Sequence, residues 1–154
     1  MKIKSIALLL LGTFALCQPL FIAQAGPAHS HTKKASGPSG GRLLTKIEPR
    51  AEFFVTAERK VQITFVDARG TAIAPDTQAV TVIAGDRAAP TKLTFVKTGK
   101  VLVSDVALPA GNDFPTVVQI KLTPESKAVV ERFNLNMAIC SDCSHPEYAC
   151  ICGH

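Results

Sequence analysis

Short apolar runs with an alternating pattern constrain the fold of this chain more than any other feature of its sequence. In VQITFV, Val61–Val66, the side chains of Val61, Ile63 and Phe65 share one face and the residues between them share the other. A period of two, with many β-branched and aromatic residues, is typical of β-strands. Comparable runs lie at residues 51–57, 79–84, 92–97, 101–103, 117–122 and 128–135. The pattern therefore predicts a series of short strands.

Turn residues separate these runs at short intervals. The KTGK sequence at residues 97–100 predicts a tight hairpin, and Leu93 and Phe95 of the preceding run are predicted to point inward. No long window carries the apolar stripe of a helix. Many short strands at this spacing predict an all-β fold, an antiparallel β-sandwich of immunoglobulin-like character over residues 42–136. Because the chain has no tryptophan, the predicted core is aliphatic and phenylalanine-based.

Four cysteines are crowded into residues 140–152, CSDCSHPEYACIC. Cys140 and Cys143 form a CxxC pair, and Cys150 and Cys152 form a CxC pair after six intervening residues. Those intervening residues reach roughly 20 Å when extended, so the two pairs can meet around one ion. Four thiolates match tetrahedral zinc, and they equally match soft copper(I). The spacing therefore predicts a metal site made of local ligands.

Oxidation is the main alternative for these cysteines, because exported chains with an even number of cysteines normally form disulfides. Disulfides within residues 137–154 close only short loops and would not stabilise the sandwich. A disulfide between the two cysteines of a Cys-x-Cys sequence would also form a small, strained ring. A redox role for Cys140 and Cys143 is a third alternative, without the βαβ context of thioredoxin-like motifs. We expect residues 137–154 to be a Cys/His metal-binding tail that takes zinc or copper(I).

The histidines all lie outside the predicted sandwich. His145 and His154 each follow a cysteine by two residues, and we include both in the metal site, as replacements for a thiolate or as ligands of a second ion. Residues 26–41 are nearly all small, polar or basic and predict a flexible leader. His29 and His31 in this leader are secondary metal candidates, and the competing interpretation is a polar linker.

The first 25 residues have the three parts of a secretory signal peptide. Two lysines are followed by an apolar stretch and by an AQA cleavage site at residues 23–25. The apolar stretch is too short for a spanning helix, so we expect no membrane span after cleavage. Acylation of Cys17 is an alternative, although Leu16 stands where a lipobox has a small residue. We expect a signal peptide at residues 1–25 and a periplasmic or secreted protein.

The charged residues argue against several function classes. The net charge is +5, but the basic residues are scattered and no aromatic residues interleave with them, which argues against a nucleic-acid partner. The predicted sandwich contains no histidine, no nucleophile motif and no phosphate loop, which argues against an enzyme. We interpret Glu52, Glu58 and Asp105 as surface charges on strand edges.

The GPSGGRL sequence at residues 37–43, followed by AEFFV at residues 51–55, resembles an opening found in small exported β-sandwich proteins and in N-terminal segments of periplasmic adaptor subunits of heavy-metal efflux pumps. The resemblance covers residues 29–135 and implies an exported sandwich linked to metal handling. The family turn often carries histidine, whereas Ser36 and Ser39 stand here, so the turn itself is not expected to bind metal. The long helical hairpin of an adaptor is missing, so we expect no complete pump subunit.

Two function hypotheses follow. The first is a non-enzymatic exported metal-binding protein that buffers or delivers an ion, with an envelope protein or a metal-efflux component as partner. The second is an envelope structural or interaction module whose tail is closed by disulfides or by a structural zinc ion. Because the alternating runs end near Leu135 and the tail adds few apolar residues, we expect a chain ending at Asn136 to unfold with a nearly unchanged midpoint.

Overall fold

The computed structural model describes residues 34–152, which form two antiparallel β-sheets followed by a short C-terminal segment. The predicted signal peptide, His29, His31 and His154 lie outside the described residues. Within the described part of the chain, no helix is long and apolar enough to cross a membrane.

Ten strands and one 3₁₀ turn lie within the described residues. They are β1 (Arg42–Leu44), β2 (Arg50–Val55), β3 (Val61–Val66), β4 (Ala72–Ile73), β5 (Ala79–Ala84), β6 (Thr91–Leu93), β7 (Phe95–Thr98), β8 (Val101–Ser104), β9 (Asp113–Lys121), β10 (Val129–Asn136) and the 3₁₀ turn Glu147–Ala149. The first sheet has the order β1-β2-β3-β8-β7, with β4 paired to β3, and the second has the order β10-β9-β5-β6. The predicted all-β class with antiparallel sheets is confirmed.

The strand order is compatible with an immunoglobulin-like arrangement. In that arrangement strands A, B, E and D form one sheet, and strands C, F and G form the other. Here β2, β3, β8 and β7 occupy the places of the first set, and β5, β9 and β10 occupy those of the second.

One hydrophobic core is shared by the two sheets. Phe53, Ile63 and Phe65 of the first sheet belong to the same buried cluster as Val82 and Val118 of the second. The predicted inward face of β3 is therefore confirmed. Burying each side chain of this size contributes roughly 1.5–3 kcal/mol, so this cluster is the main source of stability.

The run at residues 92–97 belongs to two strands in different sheets. β6 ends at Leu93 and pairs with β5, whereas β7 begins at Phe95 and pairs with β8. Between them, the N–H and the hydroxyl of Thr94 donate to the carboxylate of Asp105 at 2.9 and 2.8 Å. The hydrogen bond from the hydroxyl of Thr94 makes the largest contribution to lowering the pKa of the exposed Asp105 carboxyl group. The alternating pattern continues through this change of sheet, so it does not reveal the break.

Glu52 is a buried carboxyl group in β2. Its exposed fraction is 0%, and its Oε1 accepts the N–H groups of Ser39 at 2.7 Å and Gly41 at 2.8 Å. A Cβ on Gly41 would lie 2.4 Å from the carbonyl oxygen of Phe53, so only glycine lets the turn approach β2 this closely. The interpretation of Glu52 as a surface charge is therefore wrong. Residues 36–41, expected to end a flexible leader, instead form a turn folded against β2.

The C-terminal segment also packs into the core. Tyr148 is 3% exposed, and its ring meets that of Phe53 edge-on with the centroids 5.9 Å apart. The hydroxyl oxygen of Tyr148 accepts the N–H of Val55 at 3.1 Å. The 3₁₀ turn that carries Tyr148 contacts β1 and β10, which are edge strands of the two sheets. This packing argues against an unchanged midpoint for a chain ending at Asn136, because Tyr148 places a large apolar surface inside the core.

We expect Tyr148→Ala to lower the free energy of unfolding by about 3–5 kcal/mol, because it removes a buried aromatic ring. Tyr148→Phe keeps the ring and loses only the hydrogen bond to Val55, so a loss of about 1 kcal/mol is expected. Urea denaturation of the reduced proteins, followed by circular dichroism, measures both.

A chain ending at Asn136 should lose at least as much free energy of unfolding as Tyr148→Ala. Equal stability of that chain and the full protein would show that the tail contributes nothing to the core.

Candidate metal centre

A short hairpin positions the first cysteine pair. The N–H of Cys140 donates to the carbonyl oxygen of His145 at 2.9 Å, and the N–H of Ser144 donates to the carbonyl oxygen of Cys140 at 3.0 Å. Ser144 has a φ of 59°, in the left-handed region, which tightens the turn directly after Cys143. Backbone hydrogen bonds therefore hold the CxxC pair around one tight turn.

The 3₁₀ turn returns the chain toward this hairpin. The N–H of Ala149 donates to the carbonyl oxygen of Pro146 at 2.8 Å, and the N–H of Cys150 donates to that of Glu147 at 3.2 Å. Because Tyr148 in the middle of the turn is buried in the core, the position of the turn is set by the sandwich. The CxC pair follows the turn directly and so faces the CxxC pair.

The four sulfur atoms lie within 4.8 Å of one another. Cys140 Sγ is 3.6 Å from Cys150 Sγ and 3.9 Å from Cys152 Sγ, and Cys143 Sγ is 3.7 Å from Cys150 Sγ. A regular tetrahedron with metal–sulfur bonds of about 2.3 Å has edges of about 3.8 Å. A disulfide requires about 2.05 Å between its sulfurs, and no disulfide joins any two of these four cysteines in the structure. The arrangement therefore fits one tetrahedral ion better than it fits two disulfides.

The cysteines differ in their exposure to solvent. Cys140 is buried, with 2% of its surface exposed, whereas Cys143, Cys150 and Cys152 are half-buried. One ligand therefore lies inside the protein and three lie at its surface. An ion at this place would be held from the protein side and reached from the solvent side.

The thiols also differ in acidity. The backbone N–H of Ile151, and after it that of His145, lower the pKa of Cys143 to about 6, because these donors stabilise a thiolate. Burial and the three neighbouring thiols raise the pKa of Cys152. The N–H of Cys152 lowers the pKa of Cys150, but burial and neighbouring thiols outweigh it and raise that pKa. Without an ion, Cys143 carries the thiolate first, and a bound metal ion would replace the remaining protons.

His145 lies on the returning side of the hairpin and faces the turn at residues 36–41. Its Nδ1 is 3.2 Å from the carbonyl oxygen of Gly40, and the group of four sulfurs does not include its ring. Of the six residues predicted for the metal site, the structure brings the four cysteines together. A ligand role for His145 stays a prediction, and His154 lies outside the described residues.

Sequence reasoning missed the residues that position the cysteines. Tyr148 fixes the 3₁₀ turn, and Ile151 both donates to Cys143 and accepts the N–H of Lys34 at 3.2 Å. One signal was available, since the chain contains a single tyrosine and it stands between the two cysteine pairs. An aromatic side chain at that position is unfavourable in a segment exposed to solvent and favourable in a segment that packs against the core.

No protein-family model matches the chain, and neither a curated protein nor a solved structure matches it. The resemblance to adaptor subunits of heavy-metal efflux pumps therefore stays a prediction. The candidate metal centre is supported by the geometry of its four thiols.

In the reduced, metal-free protein at pH 7, we expect iodoacetamide to modify Cys143 much faster than Cys152. The thiolate is the reactive form, so a pKa of about 6 keeps Cys143 reactive at neutral pH. The raised pKa of Cys152 keeps that thiol protonated, and labelling of Cys143 should fall as the pH drops below about 6. Peptide mass spectrometry after brief labelling measures the order. The same protein in concentrated urea is the control, where the rates should become similar; similar rates in the folded protein would contradict the assigned acidities.

Proposed function

We propose that this chain is an exported metal-binding protein that holds one tetrahedral ion through the thiolates of Cys140, Cys143, Cys150 and Cys152. The observation that carries the proposal is the clustering of four cysteine sulfurs within 4.8 Å of one another, with sulfur–sulfur distances of 3.6–3.9 Å for three pairs. The signal-peptide pattern at residues 1–25 supports export.

We propose zinc as the ion because the four sulfurs have a tetrahedral spacing. Zn²⁺ takes four thiolates in tetrahedral structural sites, and the three sulfur–sulfur distances of 3.6–3.9 Å match that polyhedron. Four thiolates leave a net negative charge on the centre, and the N–H groups of His145 and Ile151 that point at Cys143 offset part of it. Copper(I) is a soft ion that prefers the same ligands, so it is the alternative cofactor.

Titration of the reduced protein with Co²⁺, as a spectroscopic substitute for Zn²⁺, should give one equivalent of a tetrahedral complex with intense sulfur-to-cobalt charge-transfer bands. Cys143→Ser should weaken binding by more than about 100-fold, because it removes a primary ligand. His145→Ala is the matched control on the same hairpin and should leave the affinity nearly unchanged, because its Nδ1 faces Gly40. If the reduced protein shows no such bands and also takes up no Cu(I) against a chelator, the metal function is wrong.

Two roles compete for such a centre. Half-burial of Cys143, Cys150 and Cys152 favours an ion that exchanges with other ligands, as in buffering or delivery. Burial of Cys140 and Tyr148 instead favours a structural zinc ion in an envelope interaction module. We give priority to buffering or delivery, because three of the four ligands lie at the surface.

For an exchanging ion, zinc should transfer to a chromophoric chelator faster than the protein unfolds. The chain has no tryptophan and a single tyrosine, so intrinsic fluorescence reports on Tyr148 alone. During transfer this fluorescence should keep its native value, since the ring is held by Phe53 and not by the ion. Zinc release at the rate of unfolding, with loss of the native signal, would instead establish the structural role.

A further inference from the structure

A cleft of about 320 Å³ lies beside the metal centre. Lys34, Arg42 and Arg50 line it together with a single acidic residue, Glu131, and Cys150 contributes to its wall. The volume lies at the lower end of the range for small-molecule sites. The cleft is therefore a small, positively charged site next to a residue of the thiol group.

The positive charges of this cleft are not neutralised by their hydrogen-bond partners. Arg50 Nη2 donates to the carbonyl oxygens of Asp67 at 3.4 Å and Ala68 at 3.2 Å. Arg42 Nη1 donates to the carbonyl oxygen of Tyr148 at 3.4 Å. A carbonyl oxygen carries no formal charge, so both guanidinium groups keep the capacity to pair with an anion.

Arg42 is held in place and still has an unused donor. Its guanidinium lies 4.7 Å from the centre of the Phe133 ring. Its Nε is buried and has no hydrogen-bond partner among the described residues. Because this Nε is closed to solvent, Arg42 would contact a bound anion through its terminal nitrogens.

We propose that this cleft binds a small oxyanion, a carboxylate or phosphate group, through Lys34, Arg42 and Arg50. Planar guanidinium groups recognise both kinds of oxyanion with paired N–H donors, and the lysine adds a mobile charge at the rim. The site goes beyond the metal function and does not depend on it, because the three cations belong to the N-terminal segment, β1 and β2. The competing explanation is that these cations only offset the charge of a thiolate centre.

Titration of the ¹⁵N-labelled, reduced protein with succinate and, separately, with inorganic phosphate tests the proposal. Both titrations are run at constant ionic strength, with and without one equivalent of zinc. Saturable amide shifts should be confined to residues that line the cleft, such as Ala35, Arg42 and Leu43. A response to succinate alone identifies a carboxylate ligand, and a response to phosphate alone identifies a phosphate group.

Arg50→Gln should weaken binding by about tenfold or more, because it removes one paired donor. Arg132→Gln is the matched control: it removes the same charge from an exposed position on β10 that does not line the cleft, and binding should change by less than about twofold. Lys34→Gln is a second test at an exposed residue, for use if Arg50→Gln impairs folding.

No saturable shift in either metal state, or equal weakening by Arg50→Gln and Arg132→Gln, would overturn the anion site. If the cobalt spectrum is intact at the same time, the proposed metal function still stands, so the two proposals fail separately. Binding of succinate or phosphate in the cleft without any metal uptake would support the anion site and remove the metal function.

Discussion

The contact between Tyr148 and Phe53 ties the cysteine-rich segment to the β-sandwich, and the geometry of the candidate metal centre depends on it. Burying a tyrosine removes at least about 150 Å² from water, which corresponds to roughly 4 kcal/mol. The hydrogen bond from Val55 to the hydroxyl adds about 1 kcal/mol, so the apolar contact dominates. Because Tyr148 stands between the two cysteine pairs, its burial fixes the turn that brings them face to face. The candidate metal centre is thus part of the folded domain. Much of the conformational entropy lost in ordering the four cysteines is therefore lost when the protein folds and not when an ion binds.

The buried carboxyl group of Glu52 holds the turn at residues 36–41 through hydrogen bonds to its backbone. The turn of residues 36–41 wraps its backbone around this group, and the glycines of GPSGG permit that close approach. The same turn presents the carbonyl oxygen of Gly40 to His145, and Lys34 meets Ile151 nearby. Burial raises the pKa of Tyr148, the N–H of Val55 lowers it, and the charge of Glu52 raises it further, so the phenol stays protonated. One buried acid therefore couples the N-terminal turn to the anchor of the metal segment.

Electrostatics gives the proposed metal centre and the neighbouring cleft complementary charges. A divalent ion with four thiolates is negative overall, and Lys34, Arg42 and Arg50 form a positive surface next to Cys150. Partly exposed charges of this kind interact modestly and are screened by salt, so neither site needs the other in order to form. The group of four cysteines and the positively charged cleft therefore lie in one region of the surface.

Elements that depend on neighbouring residues were predicted correctly from the amino-acid sequence. Alternation in Val61–Val66 revealed the buried face of β3, and the hairpin at residues 97–100 is confirmed by the pairing of Thr98 with Val101. The crowding of thiols identified the four cysteines as one chemical set, which the structure brings together.

Contacts between residues far apart in the chain became visible only in the folded structure. The partners of Glu52, Tyr148 and His145 are 11–13, 93 and 105 residues away in the chain. Spacing along a strand tells which side chains share a face, but it does not tell whether that face meets solvent, a turn or a returning terminus. From the sequence alone, a carboxyl group in a strand and a tyrosine in a polar segment are both expected to be exposed to solvent. Other parts of the folded chain cover both groups. The burial of Glu52 and of Tyr148 therefore had to come from long-range packing.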